Sequence, residues 1–446
     1  MARSSSQPAR LSDAVIAQRL DLISRPSFES SAYSAKAFPK GGGLGKGVKT
    51  VGILTSGGDG PAENAAIEAL VCEGVEKYQW RVLGIRDGFK GLLDPEPRIR
   101  EMSVADVHGP QALRSAREIL YLTKRWTGAN GLKGIQDLGG NLLKSSRTDP
   151  VERNEKGQLH AETAKKTMRD YGIDALVVLG GNGTLRACRD LTQLGIPLVF
   201  IPQSIDADVP GSVTAIGYPS AVNRGASELA AFLNTAQSCG RWFLVEVMGQ
   251  SYGLLTLGIA LNATQGNYYD YGKHQGMPVR VDSIFTEIPR PMEEISQLVQ
   301  RRKGFGQDHG IILVSEGVNF VGAAPPREVN AYNRMLIEAG DVCRWVRQRL
   351  LTRHDLRNTR SVSLGYSLRG AGSSAHDIAL AQNFSEAALK LISQGSMGRM
   401  VGMEFIGNSG KWTIAYPKIA DMASRTVSLD PVYFDFVRRF LEERKI

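Results

Sequence analysis

Leu54-Thr55-Ser56-Gly57-Gly58-Asp59-Gly60-Pro61 closes an apolar run that begins at Val48, and a helical stretch from about Glu63 to Lys77 follows it. An apolar run of this length without alternation reads as a strand buried on both faces. Glycines directly after it make the tight strand-to-helix turn of a βα unit. The same order recurs along the chain. Arg81 to Arg86 is a second such run. A helix over Ala161 to Asp170 precedes the run Ala175 to Leu179, which stops at Gly180-Gly181-Asn182-Gly183-Thr184, and a helix continues to about Leu194. Pro197 to Ile201 then ends in Pro202-Gln203-Ser204-Ile205-Asp206-Ala207-Asp208. The pattern begins again with Trp242 to Val247 before Met248-Gly249-Gln250, with Gly310 to Val314 before Ser315-Glu316-Gly317, and with Arg360 to Leu364 before Gly365-Tyr366. Strands alternating with helices predict an α/β protein with mostly parallel sheets. Two similar lobes facing one another fit the repetition. In such sheets ligands bind beyond the carboxyl ends of the strands, which is where these polar turns fall.

Composition agrees and excludes other classes. The 446 residues contain 49 glycines, well above the usual level of about 7%. They follow no three-residue period, which excludes collagen, and they sit among Val, Ile and Leu runs, which excludes low-complexity disorder. No stretch approaches the ~18 apolar residues of a membrane span. The net charge of +9 suits an anionic partner, or is simply a solvated basic surface. Without a long Lys/Arg block or an aromatic RNA-binding signature, nucleic acid is not expected, nor is a membrane. Cys72, Cys188, Cys239 and Cys343 are far apart and form no metal spacing, so free thiols in a reducing compartment are expected. No signal-peptide core is present, and a cytoplasmic location is the default. Residues 1–47 carry Ser and Arg and end in Gly41-Gly42-Gly43-Leu44-Gly45-Lys46-Gly47. They read as an extension that packs on the protein or a partner, with a transit peptide as the alternative.

Glycine turns at helix N-termini present backbone N–H groups to anions. The turns at Ser56–Asp59 and Gly180–Thr184 have that form, although a plain tight connection uses the same residues. Asp206 and Asp208 lie two apart on an extended segment and point the same way. One can take a proton from a hydroxyl while the other orients it or binds a cation; an Asx-turn before Pro210-Gly211 is the structural alternative. Arg147, Arg241, Arg360 and Arg369 lie near these turns and suit a sugar phosphate.

These motifs resemble the phosphofructokinase family. Leu54 to Pro61 with Asn64-Ala65-Ala66-Ile67 is similar to its LTSGGDAPGxNAAI, and Asp87-Gly88-Phe89-Lys90-Gly91-Leu92 to DGYxGL. Ile173 to Gly183 is similar to IDALVVIGGDG, Pro202 to Gly211 to PGTIDNDIPG, and Val245-Glu246-Val247-Met248-Gly249 to VEVMG. Ser315-Glu316-Gly317 is similar to AEG, and Thr359 to Gly370 to TRxxxLGHxQRGG. The likeness runs in order from about residue 48 to at least 375.

The resemblance implies two αβα lobes with the active site in the cleft between them. It implies ATP and Mg²⁺ as cofactors and transfer of a phosphoryl group to the 1-hydroxyl of fructose 6-phosphate. It implies Asp206 as general base, with Asp208 and Ser204 as companions. Gly57, Gly58, Arg147, Gly181, Gly183 and Thr184 fall at the nucleotide phosphates. Met248, Gly249, Gln250, Glu316, Tyr366 and Arg369 fall at the sugar phosphate, and Arg241 and Arg360 are given across a subunit interface. It therefore implies a homo-oligomer, dimer or tetramer, or assembly with an active paralogue. It divides the chain into 1–47, an N-terminal extension; 48–217, a nucleotide lobe; 218–372, a sugar-phosphate lobe; and 373–446, a segment completing both. The departures are specific. Asn182 stands at the metal-supporting aspartate, leaving Asn182 and Asp208 as the metal positions. Gln250 stands at an arginine facing the transferring phosphate, Tyr366 at a histidine, Ala207 at the middle of the Asp-Asn-Asp triplet, and Glu68 at an effector-binding arginine. Gly183 fits an ATP-dependent form, while Gln203 fits neither donor type. Three readings follow: an active kinase with an altered site, a non-catalytic regulatory homologue, and a kinase for a different sugar phosphate.

Overall fold

The computed structural model describes residues 11–24, 47–108, 134–153, 157, 159–266, 278–325, 328–329, 335–336, 340–351, 356 and 358–443. Most of the glycine stretch before Gly47, and residues 109–133 between the second run and the helix at Ala161, lie outside them.

Among the described residues a seven-stranded sheet builds the first lobe. Its strands are β1 (Thr50–Ser56), β2 (Arg81–Ile85), β3 (Ile99–Met102), β4 (Ala175–Gly180), β5 (Leu198–Ser204), β6 (Ile216–Gly217) and the late strand Arg399–Met400. The order is Arg399–Met400, β5, β4, β1, β2, β3, with β6 beside β5. Only β3 runs antiparallel, against β2. The second lobe holds β7 (Trp242–Val247), β8 (Ser283–Phe285), β9 (Gly310–Ser315) and the strand Thr359–Ser363. Their order is Thr359–Ser363, β7, β9, β8, all parallel. Each of β1, β4, β7 and β9 is buried along its whole length, so both faces are covered. That explains the unalternating apolar runs.

Helices supply the cover. Glu63–Glu76 and Ala375–Ser393 close one face of the first sheet through Leu70, Ile67 and Phe384. His160–Tyr171 and Asn182–Gln193 close the other through Met168, Leu185, Cys188 and Leu191. The buried 185, 188, 191 spacing is the apolar stripe of one helix face. In the second lobe Tyr218–Cys239, Leu254–Gln265 and Pro431–Glu442 meet over Leu229, Leu257 and Val437. Glu293–Gly304 and Asp341–Leu351 cover the opposite face through Leu298 and Val346. The architecture is therefore two αβα lobes. The helix Asp13–Ser24 buries Ile16, Leu20 and Ile23 in the second lobe's core beside Phe434. Its Arg19 Nε donates to the Ser409 carbonyl at 2.9 Å. No described helix is long and apolar enough to cross a membrane.

Two expectations change. β5 runs on to Ser204 instead of stopping at Ile201, because β6 offers it a further partner: Gln203 pairs with Ile216 and Ser204 with Gly217. The polar turn therefore starts after Ser204. β3 was not legible, since its residues are largely exposed on a sheet edge. In both sheets the strand order reverses, between β1 and β4 in the first and between Thr359–Ser363 and β7 in the second. Such reversals open a crevice at the carboxyl ends of the strands.

Candidate active site

Parallel register lines up the turns. Ser56 pairs with Gly180 and Gly180 with Pro202, so the first lobe's loops leave from one level. In the second lobe Val247 pairs with Ser315, and Glu246 with Ser363. The two sets face each other across the cleft. The Arg369 Nη1 of the second lobe donates to the Asp59 carbonyl of the first at 3.1 Å. A Cβ on Gly58 would collide with that guanidinium, which gives this glycine a reason other than backbone freedom.

The two glycine turns are tied together. Thr184 Oγ1 donates to the Ser56 carbonyl at 3.0 Å. Gly57 has φ +107°, a region closed to most side chains. Its N–H donates to the Ser146 carbonyl at 2.9 Å, and Ser145 Oγ donates back to the Gly57 carbonyl at 3.1 Å. These bonds hold the exposed Arg147 beside the first turn. They also narrow the anion site: Gly57 and Gly60 have their N–H groups engaged, Gly60 by Glu63. The Gly58 and Asp59 amides are left without a protein partner among the described residues. Gly181 caps the helix Asn182–Gln193, whose first N–H groups point out at Asn182, Gly183 and Thr184.

Between the turns stand the carboxylates. Ser204 Oγ donates to Asp208 Oδ1 at 2.9 Å and accepts the Asp206 N–H at 3.2 Å. Ala207 between them has φ 51°, a left-handed conformation that alanine adopts at some cost. It turns Ile205 and Ala207 into the second lobe's core and leaves the acids in the cleft. Burial, with help from Asp208 and Glu316, pushes the Asp206 carboxyl up to about 7, against the pull of Arg369. Asp208 is raised too, mainly by burial, with the Ser204 hydrogen bond opposing. Arg186, exposed on the helix Asn182–Gln193, also acts on Asp208.

Across the cleft Glu316 Oε2 accepts the Gly249 N–H at 3.2 Å. Gly249 has φ +129°, and a Cβ there would press on the Tyr252 carbonyl. This fixes Met248-Gly249 beside Glu316, with Gln250 exposed next to them and Tyr366 75% exposed above the strand Thr359–Ser363. The four arginines do not share this cleft. Arg147 and Arg369 lie at carboxyl strand ends. Arg241 precedes β7, and Arg360 pairs with Phe243 near its start. Both therefore sit roughly 20 Å from Met248 at about 3.3 Å per residue.

Three buried polar atoms at the cleft find no hydrogen-bond partner among the described residues: Asp206 Oδ1, Asn182 Oδ1 and Arg369 Nε. Two are acceptors and one is a donor of positive charge. Sequence reasoning passed over Glu63 and Asn141 beneath the first turn. Asn141 Nδ2 donates to Thr55 Oγ1 at 2.6 Å and to Glu63 Oε2. The one sequence signal was an acidic residue in the first turn of the helix that follows the glycine turn.

Comparison with known proteins agrees with this geometry. The phosphofructokinase family profile matches residues 50–392. A pyrophosphate--fructose 6-phosphate 1-phosphotransferase of Amycolatopsis methanolica is 30% identical over 358 residues, 79% of this chain and 90% of that one. An ATP-dependent 6-phosphofructokinase of Enterococcus faecalis is 32% identical over 363 residues, 80% of this chain and 89% of that one. The structure of phosphofructokinase from Saccharomyces cerevisiae superposes with a TM-score of 0.60 at 24% identity; it covers 84% of this chain, which spans 45% of the yeast chain. With the glycine turns, the Asp206 loop and the two-lobe fold in place, the chain belongs to the phosphofructokinase family, whose general reaction is phosphoryl transfer.

Proposed function

We propose that this protein transfers the γ-phosphoryl group of ATP to the 1-hydroxyl of fructose 6-phosphate, giving fructose 1,6-bisphosphate. The observation that carries the reading is Asp206. Its Oδ1 is buried in the cleft with no partner among the described residues, beside phosphate-type turns. A sugar hydroxyl is the donor such an atom lacks. As the hydroxyl oxygen forms its bond to the γ-phosphorus, its proton passes to Asp206 and the bond to the β-phosphate oxygen breaks, releasing ADP. The donor phosphates rest on the Gly58 and Asp59 amides, on the helix start at Gly181, Gly183 and Thr184, and near Arg147. The sugar phosphate rests on Met248, Gly249, Glu316 and Arg369.

The residues present fit Mg²⁺. Asn182 Oδ1 is an oxygen without a partner among the described residues, and Asp208 offers a carboxylate. Mg²⁺ is habitually held by one or two such oxygens, waters and substrate phosphates. When bound, the ion would neutralise charge on the donor phosphates. Arg241 and Arg360, at the far end of the second sheet, would serve the cleft of a neighbouring copy, so the working form is a homo-oligomer. This reaction would place the protein in the cytoplasm.

A second reading is supported by the exposed Gln250 and Tyr366 and by the neutral Asn182: a regulatory homologue that binds nucleotide or sugar phosphate without transfer, assembled with an active paralogue. A third, on Gln250 and Tyr366 alone, is a different sugar phosphate. A coupled assay separates them, run with ATP and with pyrophosphate on fructose 6-phosphate and on a sugar-phosphate panel. Fructose 1,6-bisphosphate formation that Asp206→Ala abolishes supports the first. Ligand binding without product from any donor refutes it.

A further inference from the structure

Glu63 opens the helix that follows the first glycine turn. It is completely buried, directly beneath a turn that offers its amides to anions. Glu63 Oε1 accepts the Gly60 N–H at 2.7 Å, and its other oxygen is held by the Asn141 amide. Asn141 also reaches Thr55 Oγ1, and its own Oδ1 accepts the Leu143 N–H at 2.8 Å. The carboxyl therefore clamps the turn to the end of β1 and to the 141–143 segment. The charged groups acting on it are Asp59, in the turn itself, and Arg369, which reaches over from the second lobe.

A carboxylate in this position is at odds with the turn's task. Ionised, it puts a negative charge under the amides that would hold a phosphate. Neutral, its carbonyl oxygen still accepts the Gly60 N–H, so the turn keeps its shape while the repulsion disappears. We infer that Glu63 is the positioning residue of the first turn, and that binding of a donor phosphate there is coupled to protonation of whatever fraction of its carboxyl is ionised. This rests on the donor-site reading above. The carboxyl stands where both forms are accessible, because burial pushes it up to about 8. An arriving phosphate adds like charge and favours the neutral form further. By linkage, protonation tightens phosphate binding to the same degree.

The test is calorimetry on the full chain, with ADP and with inorganic pyrophosphate as probes, in two buffers of different ionisation enthalpy. With the free carboxyl near 8, uptake should be about 0.1 proton per site at pH 7 and about 0.75 at pH 8.5. Affinity should weaken about tenfold from pH 7 to pH 9. Glu63→Gln keeps the acceptor for Gly60 and cannot ionise. It should abolish the uptake and flatten the pH dependence above pH 8. Binding of ADP at pH 8.5, where its phosphates are already fully ionised, without proton uptake in the wild type overturns the inference alone, and needs no variant to fold. Uptake that persists in Glu63→Gln overturns it as well. No binding of either probe at any pH overturns the donor-site reading, and this inference with it.

Discussion

Asp206→Asn should make the protein more stable at pH 8 while removing its activity. The carboxyl lies at about 7 in the folded chain against an ordinary 3.8. Below 3.8 both folded and unfolded chains hold the proton and the group contributes no difference. Between 3.8 and 7 the unfolded chain releases it and the folded chain keeps it, so stability falls as pH rises. Above 7 the loss is complete. At 1.36 kcal/mol per unit the shift is worth about 4 kcal/mol as an upper bound. Asp206 is partly exposed and shares its charge with Asp208, so about 1–2 kcal/mol is the expected effect. Asparagine is the neutral isostere and carries no such cost. Its thermal midpoint should match wild type at pH 4 and exceed it by roughly 1–3 °C at pH 8. Removing the base should lower kcat by about 10²–10⁴. Thermal melts across pH 4–9 and the coupled assay give both numbers. A variant equally destabilised at pH 4 and pH 8 would refute the claim that Asp206 is held against its solvation.

Gly58→Ala drives a Cβ into the Arg369 guanidinium. Because the far end of an arginine yields, stability should change by less than about 1 kcal/mol, while sugar-phosphate KM rises at least about tenfold; an unchanged KM would disconnect Arg369 from the acceptor. Asn182→Asp puts a carboxylate at the start of the helix after the second glycine turn, and on the proposed metal site the Mg²⁺-dependent rate should rise by about 10–10². A Mg²⁺ titration with no change would mean that the ion is held elsewhere. Asp377 is fully buried and accepts the Gly217 N–H at 3.0 Å and the Ser220 Oγ–H at 2.6 Å. Asp377→Ala orphans these donors and should lower stability by about 2–4 kcal/mol in urea titration.

What the sequence disclosed was local. Each glycine turn is written in consecutive residues after an apolar run, so Gly57-Gly58 and Gly180-Gly181 were placed at strand ends without knowing the sheet order. The Asp206 loop was visible for the same reason. Contacts between distant residues were not. Glu63 meets Asn141 78 positions later, and Arg369 meets Asp59 across 310. No local pattern carries such pairs, because a loop packing beneath the turn makes the first and the docking of one lobe on the other makes the second. The arginines show the limit of that local signal. All four sit next to turns in the sequence, but Arg241 and Arg360 lie at the amino ends of their strands, and proximity along a strand is not proximity in a cleft.

The electrostatics of the cleft bear on whether the site is kept for chemistry. Asp206, Asp208 and Glu63 are all raised, chiefly by burial. Glu63 at least clamps a turn, and Asp208 engages Ser204. Asp206 Oδ1 bonds to nothing among the described residues, and the loop that presents it runs through the left-handed Ala207. Both features cost stability; the left-handed turn is offset in part by the burial of Ile205 and Ala207, whereas the bare Oδ1 gains no hydrogen bond among the described residues. The two charge losses in the family pattern do not change this. On the proposed correspondence Asn182 would remove a negative charge and Gln250 a positive one, so the net charge of the cleft would stay as it was while one metal ligand and one phosphate partner would weaken. A site that served only to bind a phosphate would be better off without Asp206, because a carboxylate there repels the ligand. A site that must take a proton from a hydroxyl needs it in this strained, partnerless position. The geometry therefore supports the proposed transfer over silent binding.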